Sequence, residues 1–168
     1  MMTDVINVEP SILTRDYNAP MQLVFDAWTQ EKHLCKWQVP NAEVKCEYKH
    51  ADIKPGGSAL HKMVMPSGGE MWLLTEYHDL TPPDTIVFTQ YESNENGEIL
   101  PPKMPNWPKE IRATIRLTEA EGVTHMKFIW QPINPTAAEA EAWEASRSQH
   151  GKGWGGGFEM LANYLATV

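Results

Sequence analysis

The chain has 168 residues, of which 42% are hydrophobic, so it is long enough for one domain with a sizeable core and too short for two ordinary domains. A formal net charge of -8 argues against nucleic acid and anionic membrane surfaces as main partners, because both favour clustered lysine and arginine. The lack of a bilayer-length apolar run, of a signal-peptide pattern and of cysteines beyond Cys35 and Cys46 predicts a reduced protein of the cytoplasm.

The N-terminal part predicts one strand followed by two short helices. Ile12 to Tyr17 reads as the strand, and Pro20 suits the first helical position after it. A second, shorter helix ends before Pro40. His33 and Cys35 are too close and too isolated to predict a metal site. The apolar faces of the two helices contain Leu23, Val24, Ala27, Trp28, Leu34 and Trp37.

The middle of the chain alternates apolar and polar residues, as half-buried antiparallel strands do. Turns rich in glycine and proline separate the apolar segments. Tyr48 falls on the apolar face of the first strand in this region, whereas in the last one Lys127 faces water and puts Met126, Phe128 and Trp130 inward. The predicted strands cover residues 43–49, 58–65, 70–80, 85–92, 112–118 and 123–131.

A long proline-rich connection, Ser93 to Glu110, interrupts these strands. It contains four prolines and Trp107. A connection of this length inside a small domain is commonly functional or mobile. Two interpretations follow: the segment is a lid over a pocket, or it is a passive flap that Trp107 fixes to the body of the protein.

The segment from Thr136 to Val168 predicts one long amphipathic helix. Thr136 followed by Glu139 fits a capping box at its start. One face of the helix would be formed, at steps of three and four, by Trp143, Ser146, His150, Trp154, Phe158, Leu161 and Leu165. The sequence therefore predicts a helix whose second half packs on a large apolar surface.

Five glycines lie inside this predicted helix: Gly151, Gly153, Gly155, Gly156 and Gly157. Each costs roughly 0.8–1.0 kcal/mol relative to alanine in a helix interior. Three of them spell GxGxxG, but the strand, helix and acidic residue of a dinucleotide site do not surround them, and no Ser or Thr follows Lys152 as a P-loop requires. We interpret the glycines as leaving this part of the helix without side chains, so that its backbone lies close to a sheet or leaves space beside it.

Several short motifs occur along the chain in the order and spacing of one known superfamily. They are Ala19-Pro20, Val24-Phe25, Ala27-Trp28, Trp37, Pro40, Pro55-Gly56-Gly57, Leu80-Thr81-Pro82-Pro83, Ile86-Val87-Phe88-Thr89, and Gly153-Trp154 before Leu161 and Leu165. The chain thereby resembles the START-like or SRPBCC proteins with the Bet v 1 type helix-grip fold, and within them the homologues of the activator of the heat-shock protein 90 ATPase. The glycines at 155–157 depart from that family pattern and leave the width of any cavity open.

The resemblance implies an α+β fold over residues 1–168. An antiparallel sheet of six or seven strands would curl around the long C-terminal helix, with two short helices after the first strand and a hydrophobic cavity between sheet and helix. The superfamily includes lipid carriers, hormone receptors, cyclases and co-chaperone domains, so the fold alone transmits no function.

We predict a non-enzymatic domain that binds a small hydrophobic or amphipathic molecule, without cofactor or metal. The physical basis is a set of wide aromatic faces opposite a helix that glycine has thinned. The residues predicted to contact the ligand are Tyr48, Trp72, Phe88, Trp107, Met126, Phe128, Trp130, Trp154 and Phe158.

Two other functions stay open, and so does a homodimer. A cyclase- or hydratase-like enzyme would use His61, Glu76 or His150 in the cavity; Glu76 shares with Trp72 a candidate inward face. A chaperone-like module would bind a protein partner through an exposed sheet face or the loop around Trp107. An exposed aromatic patch would favour the module, a buried ionisable pair the enzyme, and a closed apolar cavity the binding domain.

Overall fold

The computed structural model describes residues 6–168, which form seven strands, four α-helices and a single 3-10 turn. The strands are β1 (Ser11–Tyr17), β2 (Lys45–Ala51), β3 (Ser58–Val64), β4 (Glu70–Thr81), β5 (Thr85–Ser93), β6 (Ile111–Ala120) and β7 (Val123–Pro132). The helices are α1 (Met21–Thr29), α2 (Glu31–Trp37), α3 (Ala137–Ala145) and α4 (His150–Leu165), with the 3-10 turn at Arg147–Gln149. Among these residues, no helix combines the length and apolarity needed to cross a bilayer.

All seven strands belong to one antiparallel sheet with the order β1-β7-β6-β5-β4-β3-β2. Each strand from β2 to β6 pairs with the next strand along the chain, and β1 pairs with β7. Helix α1 packs on β6 and β7, α2 on β2, and α4 on β1 and α2. The predicted α+β class, the helix-grip arrangement and the two short helices after the first strand are confirmed.

The end of the molecule beneath α1 and α2 is a close-packed aromatic core. The Trp28 ring has centroid distances of 4.6 Å to Trp37 and 6.3 Å to both Phe128 and Phe158. The Trp37 indole N–H donates to the carbonyl of Ala27 at 2.8 Å. All of these aromatic rings are buried, and the buried indole N–H of Trp28 has no hydrogen-bond partner among residues 6–168.

The C-terminal arm begins as predicted and then breaks. The Glu139 amide donates to the Thr136 hydroxyl at 3.1 Å, and the Glu139 carboxylate accepts from the Thr136 amide at 2.9 Å, which confirms the capping box. The expected single helix is instead α3 and α4, separated at Ser146 and the 3-10 turn. The Ser146 hydroxyl donates to the Ala142 carbonyl at 2.9 Å, and such back-bonding competes with regular helix hydrogen bonds.

The glycines of α4 serve two different purposes. A Cβ added to Gly156 would lie 2.7 Å from the Pro40 carbonyl oxygen, so this glycine allows α4 to approach the segment after α2. A Cβ added to Gly153 would meet no atom within 4 Å. Close approach and open space therefore occur on the same helix, less than one turn apart.

Candidate functional site

A cavity of about 590 Å³ lies between the sheet, α4 and the loop 94–110. Helix α4 borders it with His150, Gly153, Trp154 and Gly157, so two of these four positions present only backbone. The sheet contributes His61, Met63, Met71, Leu73, Phe88, Ala113 and Trp130, and the loop contributes Leu100, Pro102, Met104 and Trp107. The composition is mainly apolar, with a few polar groups at separate points.

Trp154 marks the boundary between the core and the cavity. Its ring lies 4.8 Å from Phe128 and 6.4 Å from Trp130, yet the side chain is only half-buried. The neighbouring Gly153 adds no side chain beside it. One side of the indole therefore packs on the core while the residue also borders the cavity.

The small residue Ala113 keeps the sheet wall open. It pairs with Phe88 on one side and Trp130 on the other, and all three border the cavity. A methyl side chain between two large rings leaves a depression in the wall. The size of the cavity thus depends on small residues of both the sheet and α4.

The structure distributes the nine predicted contact residues among four environments. Phe88, Trp107, Trp130 and Trp154 border the cavity. Met126, Phe128 and Phe158 are fully buried in the core behind it. Tyr48 does not border the cavity itself, but its ring stacks on His61 at 4.8 Å. Trp72 lies elsewhere.

The inward face expected for Trp72 and Glu76 is wrong. Met71 and Leu73 border the cavity, which puts the alternating residues Trp72 and Glu76 on the outer face of β4. There the Trp72 ring lies beneath the ammonium group of Lys62 at 5.6 Å. Because β4 has apolar residues on both faces, its alternation does not reveal which face is buried. Among the three residues of the enzyme hypothesis, only His61 and His150 border the cavity.

His61 is fully buried on β3, and no group among residues 6–168 forms a hydrogen bond with either ring nitrogen. Burial lowers the pKa of His61 to about 4, because the charged imidazolium would lose its hydration. The ring packs face to face on Tyr48 with an interplanar angle of 17°. The imidazole is therefore neutral at physiological pH.

Uncharged amides accompany His61 in the cavity wall. The Gln38 side-chain oxygen accepts a hydrogen bond from the Tyr48 hydroxyl, and the Gln90 amide nitrogen donates to the Thr75 hydroxyl at 3.1 Å. Both glutamines border the cavity. Each retains further hydrogen-bonding capacity, since a glutamine amide has two donors and two acceptor sites.

The charged groups of the cavity lie towards the loop. Lys103 and Glu92 form an ion pair of 2.9 Å, in which the lysine side chain is 73% exposed. Glu92 on β5 pairs with Leu73 on β4, and Leu73 pairs with His61 on β3. The strands that contain Glu92 and His61 are therefore about 10 Å apart. Lys109, the other lysine of the loop that borders the cavity, is also exposed, so the charged side chains of the loop lie towards solvent.

His150 forms a second polar cluster at the start of α4. Its Nδ1 bonds to the Ser11 hydroxyl, and its Nε2 lies 3.0 Å from the Ser146 hydroxyl. Burial, followed by the nearby positive charge of Arg147, lowers the pKa of His150. Both nitrogens are occupied, so His150 ties α4 to β1 and to the end of α3.

Trp107 fixes the loop to this cluster. Its ring lies 5.5 Å from Trp143, 6.0 Å from Trp130 and 5.8 Å from His150. By contrast, Leu100 and Met104 border the cavity while being 39% and 51% exposed. The loop is therefore held at Trp107 and by the hydrogen bond from the Leu100 amide to the Glu92 carbonyl at 2.9 Å, yet it exposes Leu100 and Met104. It combines features of the flap and the lid.

Several wall residues lie outside the predicted set, namely Gln38, Met63, Met71, Leu73, Gln90 and Leu100. Met63 was accessible to reasoning from alternation, because it is two residues beyond His61 on the same strand face. Gln90 was accessible in the same way, because it is two residues beyond Phe88 on β5. Gln38 and Leu100 gave no such signal, since their positions depend on how the loop and the end of α2 fold over the sheet.

Within residues 6–168, no group of three or more His, Cys, Asp or Glu side chains is arranged to hold a metal ion.

Comparisons with known proteins agree with this architecture. The solution structure of a protein from Arthrobacter aurescens superposes with a TM-score of 0.77 at 18% identity, covering 98% of this chain and 94% of the other. A protein from Staphylococcus epidermidis gives 0.74 at 22% identity, with coverages of 99% and 94%. The AHSA1 protein from Silicibacter pomeroyi gives 0.70 at 15% identity, with coverages of 94% and 98%. At these identities the likeness concerns the fold alone.

The sequence comparisons are more specific about ancestry. No curated protein matches the chain. The sequence model of the family described as "Activator of Hsp90 ATPase homolog 1-like protein" matches residues 18–166, which is nearly the whole length. The chain therefore belongs to the Activator of Hsp90 ATPase homolog 1-like family, within the START-like or SRPBCC superfamily.

Proposed function

We propose that this chain is a binding domain that holds one small hydrophobic or amphipathic molecule between the sheet and α4. The observation on which the proposal rests is the cavity of about 590 Å³, bordered by aromatic rings on the sheet and by glycine backbone on α4. Ligand pockets commonly measure roughly 300–1,000 Å³ and are predominantly apolar, with a few placed polar groups. The cavity agrees with that description in size and composition.

Gly153 supports the proposal because packing does not require a glycine there. A glycine inside a helix costs roughly 0.8–1.0 kcal/mol relative to alanine. At Gly156 the close Pro40 carbonyl explains the cost, but at Gly153 an added Cβ would meet nothing within 4 Å. Gly153 is exposed and borders the cavity, so glycine there keeps this part of the cavity edge free of a side chain.

The enzyme hypothesis receives less support from the two cavity histidines. Acid–base catalysis requires a histidine or carboxylate with an orienting partner. Within residues 6–168, His61 lacks any hydrogen-bond partner, and both nitrogens of His150 are bonded to serine hydroxyls. A pKa of about 4 also makes His61 a weak base at neutral pH. We therefore place binding ahead of catalysis.

The interaction-module hypothesis required an exposed aromatic patch. Every tryptophan, tyrosine and phenylalanine of residues 6–168 is buried or half-buried. The large exposed apolar residues are aliphatic: Ile12, Ile99, Leu100, Met104 and Val168. Because Leu100 and Met104 also border the cavity, their exposure fits the mouth of a ligand site.

We also infer a cytoplasmic location for this binding function. Cys35 and Cys46 are both free thiols. Burial raises the pKa of Cys46 to about 12, so it persists as the unreactive thiol. Unpaired cysteines are typical of proteins in reducing compartments.

A fluorescence titration with the neutral hydrophobic probe N-phenyl-1-naphthylamine tests the proposal. Wild-type protein should bind the probe saturably at one site. Gly153→Leu extends a side chain from α4 into the cavity and should weaken binding at least about tenfold, because it removes the volume that the probe occupies. Gly155→Leu is the matched control, since Gly155 is on the same helix but does not border the cavity.

The control variant should bind the probe within about twofold of wild type, because its leucine meets the flexible end of Arg15 instead of the cavity. Failure of the wild-type protein to bind the probe saturably would overturn the proposal. Equal affinities for the two leucine variants would do the same.

A further inference from the structure

His61 is a buried polar side chain that the fold leaves without a partner. Its two ring nitrogens are shielded from solvent, and no group among residues 6–168 bonds to them. Folded proteins pair the large majority of buried polar groups, because an unpaired group loses its hydration without compensation. Since the residue borders the cavity, a ligand there would supply the missing hydrogen bond once the side chains that cover the two nitrogens move aside.

We propose that His61 is the polar anchor of the cavity, and that the ligand is an uncharged hydrophobic compound with a hydroxyl group that hydrogen-bonds to the imidazole. This inference rests on the proposed binding function and narrows it to one chemical class. The remainder of the ligand would lie along the aromatic and aliphatic wall formed by Phe88, Trp130 and Trp154.

The hydrogen-bonding chemistry selects a hydroxyl group. A neutral imidazole has one N–H donor and one acceptor nitrogen, and a hydroxyl can pair with either of them, so it suits both tautomers. A carboxylate only accepts, and a hydrocarbon does neither. A site with a buried unpaired polar group discriminates strongly against an analogue that cannot pair with it.

The distribution of charge around His61 disfavours an ionic head group. Gln38 and Gln90 in the wall are uncharged amides, whereas the charged residues that border the cavity are Glu92 on β5 and Lys103 and Lys109 on the loop. The Glu92 carboxylate is paired with Lys103 and lies across Leu73 from the imidazole. A charged ligand group placed beside His61 would lose its hydration without an opposite charge to replace it.

Access to His61 involves a flexible part of the wall. Met63 lies two residues along β3 on the same face, and Met71 pairs with Met63 across the sheet. Unbranched methionine side chains change rotamer readily and adapt to irregular shapes. Movement of these two side chains opens a route for the hydroxyl group without displacing the backbone.

The test compares two ligands of nearly equal shape, 2-naphthol and 2-methylnaphthalene, by fluorescence titration. The ratio of their dissociation constants is measured for wild type, for His61→Phe and for the control His50→Phe, an exposed histidine on β2. The preference for 2-naphthol should fall about tenfold in His61→Phe through weaker 2-naphthol binding, and should be unchanged in His50→Phe. His61→Gln, which restores a donor and an acceptor, should recover part of the preference.

A second measurement uses the wild-type protein and so does not depend on any variant folding. The ring ¹⁵N resonances of His61 should shift on addition of 2-naphthol and stay unchanged with 2-methylnaphthalene. The His61 proposal alone is overturned if both ligands bind but the affinity ratio is the same in wild type and His61→Phe, or if the His61 resonances respond equally to both ligands. If neither ligand nor N-phenyl-1-naphthylamine binds to wild type, the proposed function itself fails.

Discussion

Two neighbouring parts of the aromatic core use the same kinds of residue for different purposes. Beneath α1 and α2, Trp28 is buried among other rings, of which Trp154 lies 6.4 Å away. Under the first half of α4, Trp154 and Trp130 are half-buried and border a cavity. The difference comes from the helix above them, because α1 and α2 supply large side chains while α4 supplies glycine at Gly153. Aromatic content alone therefore does not distinguish a core from a binding site.

Truncation of Trp28 or Trp154 to alanine separates the two parts with the largest expected effect on stability. Trp28→Ala should lower the free energy of unfolding by about 3–5 kcal/mol, as deletion of a large buried ring does. Trp154→Ala should cost less, because part of its ring already faces the cavity, but it should weaken binding of N-phenyl-1-naphthylamine. Urea unfolding and probe titration of both variants decide between the roles. Equal stability losses with unchanged probe binding would refute the assignment of Trp154 to the cavity wall.

The buried His61 imidazole beside the cavity predicts that the stability of the protein depends on pH. The pKa of His61 is about 4 in the folded protein against 6.5 ordinarily, so the unfolded chain binds more protons between these values. Stability is therefore lost as pH falls through this window, by about 2–3 kcal/mol between pH 7 and pH 4.5. Urea midpoints of wild type and His61→Phe at both pH values measure the contribution of this histidine.

In His61→Phe this part of the pH dependence should be absent, and the variant should be as stable as wild type or more stable at pH 7. The reason is that an apolar ring of similar shape replaces a polar group that has no partner. A pH profile of His61→Phe that parallels wild type would show that His61 is not the buried neutral group described above.

Gly153 and Gly156 of α4 give opposite expectations for substitution by alanine. Gly156→Ala should destabilise by about 1–3 kcal/mol, because its Cβ would overlap the Pro40 carbonyl oxygen at 2.7 Å. Gly153→Ala should stabilise by roughly 0.8–1.0 kcal/mol through helix propensity, since nothing obstructs its Cβ. Thermal or urea unfolding of the two variants measures the sign directly. A loss of stability for Gly153→Ala would contradict the open space at that position.

The smallest expected effects concern the loop 94–110 over the cavity. Its ion pair between Lys103 and Glu92 is largely exposed on the lysine side, so Lys103→Met should change stability by less than about 1 kcal/mol. Release of the probe in stopped-flow experiments should nevertheless become faster, because this pair ties the loop to the edge of the cavity. Lys109→Met, which also borders the cavity, is the matched control and should leave the release rate unchanged.

Hydrogen exchange gives an independent measure of the same loop. Amides from Lys103 to Lys109 should exchange faster than those of β6, because the segment has few backbone hydrogen bonds and several prolines. Protection across Lys103 to Lys109 as strong as in Thr114 to Leu117 would indicate a fixed structural arm.

Most of the fold could be predicted because local patterns determine it. Alternation gave the strands between residues 43 and 131, and the Thr136–Glu139 pair gave the start of α3. The break at Ser146 could not be predicted from the stripe, since the helical spacing continues through it. The break depends on a hydroxyl that bonds back to the helix and on Arg147, which donates to the Glu9 carbonyl at 2.7 Å.

The wall of the cavity was less predictable than the fold. Phe88, Trp130 and Trp154 follow from strand and helix faces, whereas β4 is apolar on both faces and misled the expectation for Trp72. The separate purposes of Gly153 and Gly156 were also hidden, because only the path of the chain at Pro40 distinguishes them. These features depend on contacts between segments distant in sequence, which a periodic pattern does not encode.

Native mass spectrometry most directly tests the claim that the cavity holds one small molecule. Wild type and Gly153→Leu would each be equilibrated with an equimolar amount of N-phenyl-1-naphthylamine and their masses compared. We expect one bound probe per wild-type chain and a variant that is largely free of probe. Bare protein in both samples, or the same number of adducts on both, would contradict it.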